Sequence, residues 1–203
     1  MEIAELNIGM VGAGEFARFA AQAFLKAPRV KLTAVTDINK NAAGQMSEEF
    51  SLKVYDHMEQ MLADKDIHLI YIATPPYLHY AQSKMALLAG KHVVCEKPAG
   101  LKTSEAEELA ALARSRALLY VVNLMQRYNP MFEIVKTIIT EKILGSFLHG
   151  FFENYASDEN LGPGHWFWDE SKSGGIFIEH GVHFFDLFEG WLGAGRVAGA
   201  WQL

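Results

Sequence analysis

Short, nearly continuous apolar runs rich in β-branched residues alternate with helical periodicities through the first 122 residues. The runs fall at 6–11, 30–36, 67–73, 92–95 and 118–122. Runs without apolar/polar alternation are expected of strands covered on both faces. Helical stretches separate them at 15–26, 40–50, 57–63, 77–89 and 105–114. In the last, Ala106, Leu109, Ala110 and Ala113 recur at helical spacing, and Ser104 with Glu107 reads as a capping box. Gly90 follows the preceding helix where a C-terminal glycine belongs. Strand and helix alternating at this spacing predict right-handed βαβ units and a parallel sheet.

Beyond Val122 the texture changes. Asn129-Pro130 punctuates the chain, 131–140 reads as a helix, and Gly145 introduces 146–155 as a strand. Residues 157–175 are glycine-rich and loop-like, 176–192 reads as one apolar helix, and 196–203 as a further strand. The predicted fold is α/β: a doubly wound Rossmann unit over 1–122, then a partial α+β domain over 123–203.

Composition adds little that is specific. The 203 residues are 50% hydrophobic and 21% charged, with a formal net charge of −6, which suits a globular protein and no nucleic-acid partner. The single cysteine, Cys95, excludes an internal disulfide framework and fits a reducing compartment. The first seven residues lack a basic signal-peptide region, and no apolar run approaches a membrane span. A cytoplasmic location is the expectation.

The first chemistry-bearing motif follows the first strand. Gly12-Ala13-Gly14-Glu15-Phe16-Ala17 has the form GxGxxA: Gly12 for a tight turn, Gly14 for close approach of backbone to a pyrophosphate, and small Ala17 for helix–strand packing. The anion would rest on the N-terminus of the following helix. Asp37, at the end of the second strand, is placed to accept from a ribose 2′-hydroxyl and to repel a 2′-phosphate. The expected cofactor is therefore NAD rather than NADP, although Lys40 stands close by.

A second block runs from Ile72 to Gly100. It contains Thr74-Pro75-Pro76, His79, Ala89-Gly90-Lys91-His92-Val93 and Cys95-Glu96-Lys97-Pro98. Downstream stand Gln126, Arg127 and Asn129-Pro130, then Gly174-Gly175 followed by Glu179, His183 and Asp186. With these motifs the chain resembles the glucose-fructose oxidoreductase/inositol dehydrogenase/MocA family along essentially its whole length. There are departures: Pro76 replaces the usual Asn, Ser173 opens the glycine run, Glu179 replaces an Asp, and His180 lies beside it. The family's second domain carries a large open antiparallel sheet, so the resemblance implies an incomplete sheet here and a shortened chain.

The resemblance implies a catalytic group of Lys97, Glu179 and His183, a cis Lys97–Pro98 bond, and hydride exchange with a sugar, polyol or related small molecule. It also implies a homo-oligomer, and cofactor contacts from Thr74, Pro75, His79, Glu96, Lys97, Gln126 and Arg127 besides the glycine turn. Physical chemistry agrees with the roles. A desolvated lysine near a nicotinamide ring has its charged form disfavoured and can exchange a proton with a hydroxyl. Glu179 and His183, four apart on one helix, would share a face. Asp186 reads as a structural hydrogen-bonding partner, and Trp166, Phe167 and Trp168 as pocket or seam aromatics. A metal reading of His165, His180 and His183 with neighbouring carboxylates lacks the usual ligand spacing, so no metal is expected. Two other functions stay open: a glycosidase that retains NAD, and a non-catalytic NAD-binding sensor or interaction module.

Overall fold

The computed structural model describes residues 5–155 and 161–201. Six parallel strands form one sheet in the order β3-β2-β1-β4-β5-β6: β1 Leu6–Val11, β2 Val30–Thr36, β3 Lys53–Val54, β4 Leu69–Ile72, β5 His92–Glu96 and β6 Tyr120–Asn123. The order reverses direction between β1 and β4, and crevices for ligands open at such switch points, beyond the carboxyl ends of the strands.

The connecting helices are α1 Glu15–Phe24, α2 Lys40–Phe50, α3 Met58–Ala63, α4 Pro76–Leu88 and α5 Thr103–Ser115. They cover both faces of the sheet. One core unites Ile8, Met10 and Val35 with Ala17, Ala20 and Ala21 of α1 and Met46 of α2. The other sets Ile70, Ile72 and Val93 against Met61 of α3, Leu87 of α4 and Leu109 of α5. This double cover explains the unalternating strands, since each fully buried aliphatic side chain contributes about 1.5–3 kcal/mol on either face.

Four expectations require correction. The pair at Lys53 and Val54 is a strand that the pattern does not reveal, because it is two residues long and both are exposed. The α5 cap lies earlier than Ser104: the Glu105 carboxylate accepts from Leu101 N at 2.8 Å and Lys102 N at 3.2 Å. The segments 146–155 and 196–201 form no strands, because no described residues offer them a ladder. Residues 202–203 of the second expected strand, 156–160 before and within the expected loop, and 1–4 of the N-terminus lie outside the described residues.

The fourth correction bears on the site. The expected 176–192 helix divides into α8 Ile176–Glu179 and α9 Val182–Leu192, after a short α7 Glu170–Ser173. At the break Gly181 N donates to Ile176 O at 2.9 Å, a wider loop than the regular helical bond. Helix α6, Pro130–Thr140, packs on α9. Phe132 stacks on Trp191 at 5.9 Å, and the Trp191 indole donates to Phe132 O at 3.1 Å. The Arg127 guanidinium binds both Asp186 oxygens, at 2.8 and 2.7 Å. These contacts fix α9, and with α8 they carry Glu179 to the carboxyl edge of the sheet.

Candidate active site

The glycine turn is shaped by its neighbours. Gly12 has φ +104°, and a Cβ there would lie 2.6 Å from Ala73 O at the end of β4. Its amide donates to Thr36 O at 2.9 Å, which ties the turn to β2. Asp37 completes the tie, accepting from Ala13 N and from Asn39 N, both at 2.7 Å. Gly14 is the N-cap of α1 and has no side-chain cap; a Cβ there would meet nothing within 4 Å. Open space above an uncapped helix N-terminus is the arrangement that accepts a phosphate.

That space is a cleft of about 1370 Å³ bordered by Gly12, Gly14, Glu15, Phe16 and Asp37 at one end and by Lys97, Glu179 and His183 at the other. Thr74, Pro75 and Glu96 line it between. Ala17 does not reach the cleft: it is fully buried and acts through packing. Lys40 also lines the cleft, its ammonium donating to Asp56 O with the Asp56 carboxylate 3.8 Å away.

Three residues expected at the cofactor lie elsewhere. His79 is buried, its ring nitrogens 2.7 Å from Pro98 O and 2.6 Å from Thr74 O, so it braces the two loops from behind. Arg127 is turned away by the short 3-10 helix Met125–Tyr128 and bound to Asp186. Gln126, in the same turn, does not line the cleft. Asp186 is the structural partner expected, and Trp166 and Phe167 join the cleft wall while Trp168 stays outside it.

At the far end of the cleft, Lys97 follows β5 and its bond to Pro98 is cis. Its Nζ donates to Glu179 O at 2.8 Å and to Glu179 Oε1 at 2.5 Å. Among the described residues, Glu179 Oε2 and His183 Nδ1 are buried without hydrogen-bond partners. Burial, and then the charge of Lys97, holds the His183 imidazole below its ordinary pKa, so near neutral pH it is an uncharged proton acceptor. The break at His180–Gly181 means that Glu179 and His183 reach the cleft from two short helices rather than from one face.

Beneath Lys97, burial raises the Glu96 pKa, while Asn123 Nδ2 at 2.7 Å and the Tyr71 hydroxyl donate to its Oε1. Asn123 sits in register with Glu96 across β5 and β6. Asn123 escaped the sequence reading because that register is invisible along the chain, and Tyr71 because its side chain reaches Glu96 from another strand, β4. Gln82 also lines the cleft, its Oε1 accepting from the Thr74 hydroxyl at 2.6 Å; its position one turn after His79 was the available signal. Among the described residues no three His, Cys, Asp or Glu side chains converge as a metal site, and no helix is long and apolar enough to cross a membrane.

Comparison with known proteins agrees with this geometry. The model of the Gfo/Idh/MocA oxidoreductase family, described by its NAD-binding Rossmann fold, matches residues 6–124. An uncharacterized oxidoreductase of Schizosaccharomyces pombe is 33% identical over 187 residues, 89% of this chain and 50% of that protein. The 3-ketoreductase KijD10 of Actinomadura kijaniata, solved with NADP and TDP-benzene, superposes with a TM-score of 0.81 at 25% identity, covering 93% of this chain and 58% of that one. A levoglucosan dehydrogenase solved with NADH and levoglucosan reaches 0.83 at 24% identity, covering 93% and 54%, and shows the shared fold. The chain spans about half the length of the curated relatives it matches. With its glycine turn, its Glu96-Lys97-Pro98 block and the cleft they share, the chain belongs to the glucose-fructose oxidoreductase/inositol dehydrogenase/MocA family of oxidoreductases.

Proposed function

We propose that this chain provides the dinucleotide site and the catalytic group of an NAD-dependent oxidoreductase acting on a hydroxyl or keto group of a sugar, polyol or related small molecule. Residues 1–122 would hold the cofactor, and 123–203 would bring substrate-facing groups over it. The observation that carries the reading is the convergence of Lys97, Glu179 and His183 on the cleft that the glycine turn and Asp37 open. The residues present fit a dinucleotide: Gly14 leaves its place empty, α1 offers uncapped amides, and two buried polar atoms at the far end await partners.

The bound nicotinamide would accept or return a hydride at the substrate carbon. The protein manages the proton. Lys97 is oriented by two acceptors on Glu179, which leaves one of its three N–H donors for the substrate oxygen. His183, kept neutral by burial, takes or supplies the proton at that oxygen. The Asp37 carboxylate supports NAD over NADP, since it would repel a 2′-phosphate and the nearby Lys40 is engaged by Asp56. Relatives named as a dTDP-3,4-didehydro-2,6-dideoxy-alpha-D-glucose 3-reductase and a UDP-N-acetylglucosamine 3-dehydrogenase support the substrate class.

The test is absorbance at 340 nm with NAD or NADP and a panel of sugars, polyols and anhydrosugars. Net NADH formation, lost by about 10²–10⁴-fold in Lys97→Met with NAD affinity retained, is expected. Turnover without net NADH, or full activity in Lys97→Met, would overturn the reading.

A further inference from the structure

We infer that Tyr71 is a positioning residue of the cofactor site, acting from the buried face of the sheet through the Glu96 carboxylate. The inference rests on the dinucleotide reading proposed above, but it starts from a cost that the fold alone does not explain. Glu96 and Tyr71 are 7% and 2% exposed. Burying a carboxylate and a hydroxyl costs free energy that apolar side chains of similar volume would spare. A leucine and a phenylalanine would serve the packing of this sheet at least as well. The polar pair is explained instead by what Glu96 meets in the cleft, which it borders between Thr74 and Lys97.

Three adjacent strands build the arrangement. Asn123 on β6 is in register with Glu96 on β5, and Tyr71 on β4 is in register with Val94, two residues earlier on the same face. Two residues of strand span about 6.6 Å, a length that a tyrosine covers when it leans along the strand. Phe24 of α1 holds the ring in place, edge to face, with centroids 5.0 Å apart. The hydroxyl then donates to Glu96 Oε1, and Asn123 Nδ2 donates to the same oxygen at 2.7 Å.

Both donors fall on one oxygen, so the carboxylate cannot rotate without losing them. A carboxylate offers about four acceptor positions, and those of Oε2 remain for a donor in the cleft. Burial pushes the Glu96 carboxyl up, and donation by Asn123 and then Tyr71 opposes that and favours the charged acceptor. With the pyrophosphate over Gly14 and hydride exchange beside Lys97, the part of the cofactor that passes Glu96 is the nicotinamide riboside. That half carries ribose O–H and carboxamide N–H donors. Tyr71 thus aims an acceptor at the nicotinamide riboside without touching it.

Fluorescence titration with NADH and calorimetric titration with ADP, both on the full chain, test the role. Tyr71→Phe keeps the ring and removes the hydroxyl. It is expected to weaken NADH binding about five- to tenfold, as loss of a hydrogen bond to a charged group would. ADP, which lacks the nicotinamide riboside, should bind within about twofold of the parent. In a Glu96→Leu background the same substitution should change NADH affinity by less than about twofold, because no carboxylate is left to aim. An unchanged NADH affinity in Tyr71→Phe would overturn the proposal. So would an equal loss of ADP affinity, the mark of a sheet merely loosened, or a loss that persists undiminished in Glu96→Leu. Should Tyr71→Phe fail to fold, Asn123→Leu removes the other donor from Oε1 and carries the same expectations. A parent that binds both ligands but turns over no sugar refutes the dehydrogenase reading alone. A parent that binds no NADH refutes the dinucleotide reading and this inference with it.

Discussion

Replacing each glycine of the turn by alanine separates the folding role of this loop from its binding role. In Gly12→Ala the new Cβ would meet Ala73 O at 2.6 Å and Ala73 C at 2.9 Å, with φ held at +104°. A side chain in such a backbone conformation costs about 1–3 kcal/mol. The overlap is with main chain, and Ala73 N is itself bonded to Val11 O at 2.9 Å, so relief means parting β1 from β4. Overpacking of that kind adds about 1–3 kcal/mol. A loss of at least about 2 kcal/mol in a chain this long lowers Tm by at least about 4–8 °C. Gly14→Ala has no such penalty, because φ is −72° and its Cβ would meet nothing within 4 Å. It forfeits only the preference for glycine over alanine at an N-cap, about 1 kcal/mol or less. Its methyl, however, occupies the place assigned to the pyrophosphate. Thermal melts by circular dichroism and calorimetric titration with NAD check both: Gly12→Ala loses stability, whereas Gly14→Ala keeps its Tm within about 4 °C and loses NAD affinity tenfold or more. A Gly14→Ala protein that binds NAD normally, or a Gly12→Ala protein that melts like the parent, would refute the reasoning.

Other perturbations follow from individual contacts. Asp37→Asn removes the charge but keeps one acceptor for Ala13 N or Asn39 N, so the ratio of NADP to NAD affinity should rise about tenfold, measured by NADPH and NADH fluorescence; an unchanged ratio would disconnect Asp37 from selectivity. Arg127→Ala strands the Asp186 carboxylate, whose side chain is 13% exposed; with the half-open arginine discounted for solvent screening, the loss is about 1–2 kcal/mol, and Arg127→Lys, which lacks the two-pronged fork, restores little of the Tm. Burial holds His79 below the ordinary histidine value of 6.5, against the pull of the Pro98 and Thr74 carbonyls. The unfolded chain then takes up the proton first, so stability falls as pH drops below about 6.5 and is level above it. His183 contributes in the same direction, and His79→Gln should reduce the slope of Tm against pH between 7 and 5.5 without removing it.

Much of the Rossmann half was legible along the chain. β1, β2 and α2 match their apolar patterns end to end, because strands buried on both faces and helices with one buried stripe leave distinct periods. The glycine turn was legible too, since a positive φ and a close backbone approach restrict the residue type at single positions. Local rules stopped where long-range partners decide. Segments 146–155 and 196–201 carry strand-forming residues, yet extended chain becomes a strand only where another strand satisfies its amides. The sheet register that sets Asn123 beside Glu96 joins residues 27 apart in sequence, and no local pattern encodes it.

Residue type therefore established which chemistry is present: a lysine after the fourth run, two carboxylates and two histidines near the end. Tertiary structure assigned their partners. It took His79 and Arg127 from the cofactor and made them braces, because each meets acceptors brought in from a distant element. It broke the last helix at Gly181, so that Glu179 reaches Lys97 with one oxygen and faces His180 with the other. A side chain's capacity to donate, accept or titrate is local, but what it meets in the cleft depends on elements that only the folded chain brings together.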